Sequence, residues 1–295
     1  MKNKFLLVLV LSSTILFSCN DNVKTVKKVL DKSETSLFSN VDPESSSKRT
    51  AAISLPIIFP SGDNNIVGRV LIAEGKAPKS TVIFLHGNPG FEKNEETGQI
   101  LRRAGYNTVF FSYSGTWGNK GEFSYHKSIE DLESLVEYLD KNSKRLRIDS
   151  KKIYLCGFSM GADIALLSAH KIQNIKGVIS IDVWNGYNEL KHKSEKQITQ
   201  YIKNLDIRPC INIRSGKFFV DDIMNDDDMD LKIHLNELSC PVLHIFSNSR
   251  DMKVFKEYSE GLKEQKFALL KASDHSFSNK RIALAKTIFN FIKQK

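Results

Sequence analysis

The chain has 295 residues, 41% hydrophobic and 26% charged, which is ample material to bury a core. Its 43 basic residues give a formal net charge of +9, yet they are scattered among 34 acidic ones. No basic run with interleaved aromatics stands out, so the charge reads as solvated faces and a nucleic-acid partner is excluded.

The N-terminus bears on location. Met1-Lys2-Asn3-Lys4 is a short basic region, and residues 5–17 are apolar apart from Ser12, Ser13 and Thr14. A run this short is a signal-peptide core, too short for a stable membrane span. Leu16-Phe17-Ser18-Cys19 then puts a cysteine directly after a small residue, which resembles the lipobox of bacterial lipoproteins. That resemblance implies a signal peptide over residues 1–18, cleavage before Cys19, and a diacylglyceryl group on the Cys19 sulfur. Residues 19–51, rich in Ser, Lys, Asp and Asn, read as a flexible tether. The expected location is a bacterial membrane, reached through a lipid anchor on the periplasmic or cell-surface side. With Cys19 modified, an odd three cysteines remain. Cys156 reads as a buried free thiol, and a Cys210–Cys240 bridge is disfavoured.

Residues 52–295 suit one domain. Leu85-His86-Gly87-Asn88-Pro89-Gly90 is a glycine-containing loop after an apolar stretch. A strand over residues 108–113 leads into a second loop, rich in glycine, that holds Trp117, and a helix over 130–139 has amphipathic spacing at Leu132, Leu135, Val136 and Leu139. The most informative segment follows. Lys152-Ile153-Tyr154-Leu155-Cys156 is β-like, Gly157-Phe158-Ser159-Met160-Gly161 is a G-x-S-x-G turn, and residues 162–170 are good helix formers. A serine between two glycines at a strand-to-helix turn is held in a strained conformation with its hydroxyl lifted above the sheet.

Downstream come a strand ending near Asp182, an insertion of almost sixty residues, and a buried strand over 241–246. Then follow an acid, Asp251, a helix over 254–262, a strand over 267–270, a loop carrying Asp274 and His275, and a helix over 280–292. A direct crossover needs far fewer residues than that insertion. Its acidic run Asp221 to Asp230 lacks the spacing of a calcium loop and reads as a solvated face. The order serine, acid, histidine, with each group just past a strand, gathers all three at the carboxyl edge of one sheet.

On these motifs the chain resembles a serine hydrolase of the α/β-hydrolase superfamily, similar to its esterase and serine-aminopeptidase branches. The resemblance implies a mostly parallel central sheet flanked by helices, with a cap insertion over 183–239. It further implies Ser159 as nucleophile, Asp251 as orienting acid and His275 as base, with the backbone N–H groups of Asn88 and Met160 as the oxyanion hole. Asp182 is the alternative acid, since some related enzymes place it there. Asn-Pro after His-Gly also resembles haloalkane dehalogenases and epoxide hydrolases, but those carry Asp at the nucleophile position. His86 reads as structural, Asp274 as a loop carboxylate, and His126, His170, His192, His234 and His244 show no metal-ligand spacing. Trp117, Tyr113, Trp184 and Tyr187 are candidates to line the cleft.

The expected reaction is acyl transfer to water on an ester, thioester or amide, without cofactor or metal. The expected substrate is a small molecule or short peptide. A peptidase of the aminopeptidase or prolyl-oligopeptidase type is the alternative enzyme, and a non-catalytic surface binding protein on a hydrolase scaffold is the alternative outside enzymes.

Overall fold

The computed structural model describes residues 50–271 and 274–294. The expected signal peptide, Cys19 and nearly all of the expected tether lie outside those residues. Among the described residues no helix is long and apolar enough to cross a membrane.

Eight strands form one sheet: β1 (Ile53–Ser61), β2 (Asn64–Ile72), β3 (Lys79–Leu85), β4 (Asn107–Phe111), β5 (Ile148–Phe158), β6 (Ile175–Ile181), β7 (Val242–Phe246) and β8 (Gln265–Leu269). Their spatial order is β1-β2-β4-β3-β5-β6-β7-β8. The two pairings that involve β2 are antiparallel and the rest are parallel. β4 (Asn-Thr-Val-Phe-Phe) is buried at every position, as a strand covered on both faces must be. β1 sits at the edge, and its later residues alternate between buried and exposed. The chain leaves β3 for β4 on one side and returns to β5 on the other. The carboxyl ends of β3 and β5 therefore border the crevice where the strand order reverses, the place where open α/β sheets bind ligands.

Helices cover both faces. α1 (Glu95–Arg103) follows β3, and α2 (Tyr125–Lys141) follows β4. α2 begins five residues before the helix expected from residue 130, because the Ser124 side chain accepts from Lys127 N–H at 3.2 Å and caps it. The short α3 (Ser143–Leu146) leads into β5, and α4 (Met160–Ala169) leaves it. Every residue of α4 is buried, which is why its sequence carries no polar stripe. α9 (Ser249–Tyr258) and α10 (Arg281–Lys293) complete the layers. Cys156, Cys210 and Cys240 are free thiols.

The insertion between β6 and β7 is helical, with α5 (Gly186–Lys191), α6 (Glu195–Asp206), α7 (Gly216–Met224), a 3-10 turn and α8 (Leu231–His234). Its amphipathic α7 buries Phe219, Val220 and Ile223, and Phe219 stacks on Phe123 at 5.4 Å. The acidic run is only in part a solvated face: Asp227 and Asp228 are exposed, but other carboxylates of the run make long-range contacts. Asp222 accepts from the backbone N–H groups of Tyr125 (2.5 Å) and His126 (3.1 Å), placing a carboxylate on the N-terminus of α2. The His126 ring is gripped from both sides, Nδ1 by Asp222 at 2.9 Å and Nε2 by Asp226 at 2.7 Å. Asp227 accepts from Tyr187 Oη, and Asp230 from Tyr258 Oη. Through Asp222, Asp226 and Asp230 the run therefore fastens the insertion to the rest of the domain, while Asp227 ties it to Tyr187 within the insertion.

The two carboxylates raise His126 from 6.5 to about 9, with the Asp222 hydrogen bond the largest cause. A pKa raised by folding stabilises fully below the unfolded value and fades as pH climbs through the folded one. The stability difference between wild type and His126→Gln, read as ΔTm, is therefore expected to be largest from about pH 5 to 6.5. It should shrink across pH 6.5 to 9 and vanish above that. A difference independent of pH over this span would show that the clamp is not ionic.

Candidate active site

Ser159 stands between β5 and α4 with φ 55° and ψ −120°, a region that L-residues adopt only under constraint. The constraint is close backbone packing. A Cβ on Gly157 would lie 2.1 Å from the Gly161 carbonyl oxygen. One on Gly161 would lie 2.3 Å from the Leu85 oxygen and 2.6 Å from the His86 oxygen. The turn is also bonded to the neighbouring strand end: Ser159 N–H donates to Ile181 O at 2.9 Å, and Trp184 N–H donates to Ser159 O at 3.2 Å.

Asp182 follows β6 directly, also at positive φ (44°). Its carboxylate is 6% exposed and fully engaged. Oδ1 accepts from Ser247 N–H at 3.0 Å, while Oδ2 accepts from Ser247 Oγ at 2.7 Å and lies 3.0 Å from His275 Nδ1. A carboxylate accepts only, so Nδ1 carries the proton and Nε2 presents its lone pair. The His275 ring packs on Phe158 with centroids 4.8 Å apart. Ser159, Asp182 and His275 line one cleft of about 380 Å³, with Trp184, Phe246 and Tyr258 among its walls. Among the described residues His275 bonds to Asp182 and not to Ser159. Catalytic contacts of this type often tighten only when substrate is bound.

The acid expected at Asp251 is corrected by this geometry. Asp251 lies in the first turn of α9, where its N–H donates to Asn248 Oδ1 (2.9 Å) and its carboxylate accepts from Asn248 Nδ2 (2.6 Å). It borders the cleft, but it serves as half of a helix cap, and the histidine's Nδ1 belongs to Asp182. The strand end from which the acid was expected supplies Ser247 instead, which orients Asp182. Asp274 folds back onto Ser278 N–H and Oγ.

Met160 is the first residue of α4, so its N–H has no acceptor within the helix and sits at the positive end of the dipole. The loop after β3 presses against Ser159, since a Cβ on Gly87 would approach the serine Cβ to 2.9 Å. Asn88 follows, its side-chain oxygen held by the guanidinium of Arg208 from the insertion. Burial lowers His86 to about 4 and keeps it neutral, and its Nδ1 lies 2.7 Å from the Gly87 carbonyl oxygen. The loop is braced further by Trp117 Nε1, which donates to Pro89 O at 2.7 Å. Beneath the cleft, Asp163 accepts from Gly186 N–H at 2.9 Å and from Tyr125 Oη, and burial raises it to about 7. Asp163, Ser247 and Arg208 escaped the sequence reading, though a carboxylate inside the apolar α4 was a visible signal for Asp163. A larger hollow of about 540 Å³ lies near the amino end of β5, between Val136, Ile153 and Ile172, and none of the three residues Ser159, Asp182 and His275 lines it.

The BD-FAE family model matches residues 70–224, more than half of the chain. The chain belongs to the BD-FAE family. No curated protein matches it. Solved structures do. Est1E from Butyrivibrio proteoclasticus with ferulic acid bound aligns at TM-score 0.68 and 15% identity, covering 81% of this chain and 98% of that one. EstE1, a thermostable carboxylesterase cloned from a metagenomic library, aligns at 0.61 and 15%, covering 94% and 99%. The Pyrococcus horikoshii acylaminoacyl peptidase aligns at 0.61 and 15%, covering 84% of this chain and 42% of that one. Similarity at this level shows that this BD-FAE member has the α/β-hydrolase fold.

Because the histidine's partner is Asp182, Asp182→Asn is expected to lower kcat by about 10³–10⁴-fold by stabilising the wrong imidazole tautomer. Asp251→Asn is expected to stay within about tenfold of wild type and to cost some helix stability. Steady-state kinetics of the two variants on one chromogenic ester decide the point. A large loss confined to Asp251→Asn would overturn the assignment.

Proposed function

We propose that the protein is a serine hydrolase that cleaves esters of small aromatic acids through an acyl-enzyme. The observation that carries this is the strained Ser159 at the mouth of a cleft that also holds the Asp182–His275 pair. His275 Nε2 takes the Ser159 proton as Oγ attacks the ester carbonyl. The N–H groups of Met160 and Asn88 stabilise the oxyanion, and the imidazolium formed rests against Asp182. The same proton then passes to the departing alcohol. Water, deprotonated by His275, hydrolyses the acyl-enzyme, releasing the acid and restoring the serine.

The acyl preference rests on the walls. Trp184, Phe246, Phe255 and Tyr258 give the cleft flat aromatic surfaces, and about 380 Å³ suits a small planar acyl group better than a long chain. A relative of the same fold has been solved with ferulic acid bound. The proposal includes location: Cys19, in its lipobox-like setting, carries a lipid that holds the domain at a bacterial membrane.

A fluorophosphonate probe is expected to label wild type and leave Ser159→Ala unlabelled. The variant is expected to lose at least about a thousandfold in kcat/KM on ethyl ferulate. Absence of labelling in both proteins would sink the enzyme reading. Labelling with faster release from aminoacyl amides than from aryl-acid esters would turn it to a peptidase.

A further inference from the structure

At the far end of α4 from Ser159, three side chains with metal-ligand chemistry converge. His170 caps the C-terminus of α4, His234 closes α8 in the insertion, and Glu237 follows it in the next turn. One ligand atom from each lies within 4.8 Å of the other two. Spacing along the chain alone gives these histidines no metal-ligand signature. His170 and His234 are far apart in the chain and meet only because the insertion docks α8 on α4.

The hydrogen bonding of His234 is what points to a cation. The ring is buried, its Nε2 lies 3.1 Å from the Asp228 carbonyl oxygen, and its Nδ1 lies 2.9 Å from Glu237 Oε2. Both neighbours are acceptors. A neutral imidazole has a single N–H, so once Nε2 donates to the carbonyl, Nδ1 presents a lone pair to a carboxylate. Positive charge resolves the conflict, either as a second ring proton or as a metal ion. His170 favours the ion. Its Nε2 is 3.6 Å from the same Glu237 oxygen, and its Nδ1 is buried without a hydrogen-bond partner. At bonds of about 2.1 Å, these two separations subtend roughly 90° and 120°, within the range of a four-coordinate site.

We propose that His170, His234 and Glu237 bind one divalent cation of the zinc class, with water in the fourth position, and that the ion staples the insertion to α4. Imidazole and carboxylate together favour zinc over magnesium. Glu237 is about half exposed and gives the ion its entry. The two rings are stacked almost parallel, with centroids 4.2 Å apart and planes 8° apart. A metal must lie in the plane of each ring it binds, so one ring turns on binding. That ring is His170, whose Nδ1 has no well-formed hydrogen bond to give up, only a weak approach to the Leu167 backbone. The ten residues of α4 place the ion about 15 Å from the nucleophile, too far to touch a substrate on Ser159. Its part is structural.

The test uses full-length protein freed of metal with a chelator and titrated calorimetrically with zinc chloride, with magnesium chloride as control. Expected are one equivalent of zinc bound at micromolar affinity or tighter, a Tm higher by several degrees, and no response to magnesium. Glu237→Gln, at an exposed position that does not threaten folding, is expected to weaken binding at least tenfold, as is His170→Gln. His192→Gln, an exposed histidine elsewhere, should leave it unchanged. Absence of saturable zinc binding would overturn the proposal, as would equal affinity in wild type, Glu237→Gln and His170→Gln. Ester turnover is measured alongside and is expected to persist without zinc, so failure of the metal site and failure of the hydrolase reading are separately visible.

Discussion

The whole site depends on one backbone-on-backbone contact, Gly161 of the α4 amino end against the carbonyls of Leu85 and His86. Because no side chain intervenes, the helix comes close enough to the end of β3 for two things to happen together. Ser159 is forced into its strained conformation, and the Met160 N–H is brought beside the loop that carries Asn88. The strain costs of order 1–3 kcal/mol and persists because the packing around it over-determines the turn. A helix buried on all sides and a mostly parallel sheet supply that packing.

A second constraint links the strand ends beyond β5. Asp182 is a carboxylate with every contact assigned: a backbone N–H and a hydroxyl from Ser247, and an imidazole from His275. The ends of β6 and β7 and the loop after β8 are thereby held in register at one oxygen pair. Ser247 does for the acid what the acid does for the histidine, since it leaves a single orientation available. Such supporting contacts decide whether a set of reactive groups is merely near or is aimed.

What could be read from the chain follows how local the cause is. The G-x-S-x-G turn was legible because strand, glycines, serine and helix are contiguous, and His275 because its place after the last strand is a matter of order. The choice between Asp182 and Asp251 was not, since it depends on which carboxylate meets a ring delivered from a distant loop. A local sign was nevertheless present: Asn248 three residues before Asp251 is a helix-capping pattern, and it assigns Asp251 to α9. The anchoring role of the acidic run is hidden in the sequence for a related reason. Its carboxylates look solvated until His126, Tyr187 and Tyr258 arrive from other segments to meet them. The cluster of His170, His234 and Glu237 is wholly a product of tertiary docking.

The position of Asp182 has one more consequence, for how such a protein can change over generations. Ser159 and Asp182 belong to a single strand–helix–strand unit, and the helical insertion begins only after both. Residues can be gained, lost or reshuffled between β6 and β7 without altering the spacing of Ser159 and Asp182. The walls of the cleft can change shape while Ser159 and Asp182 stay in register, with His275 the one member of the set that must find its place again.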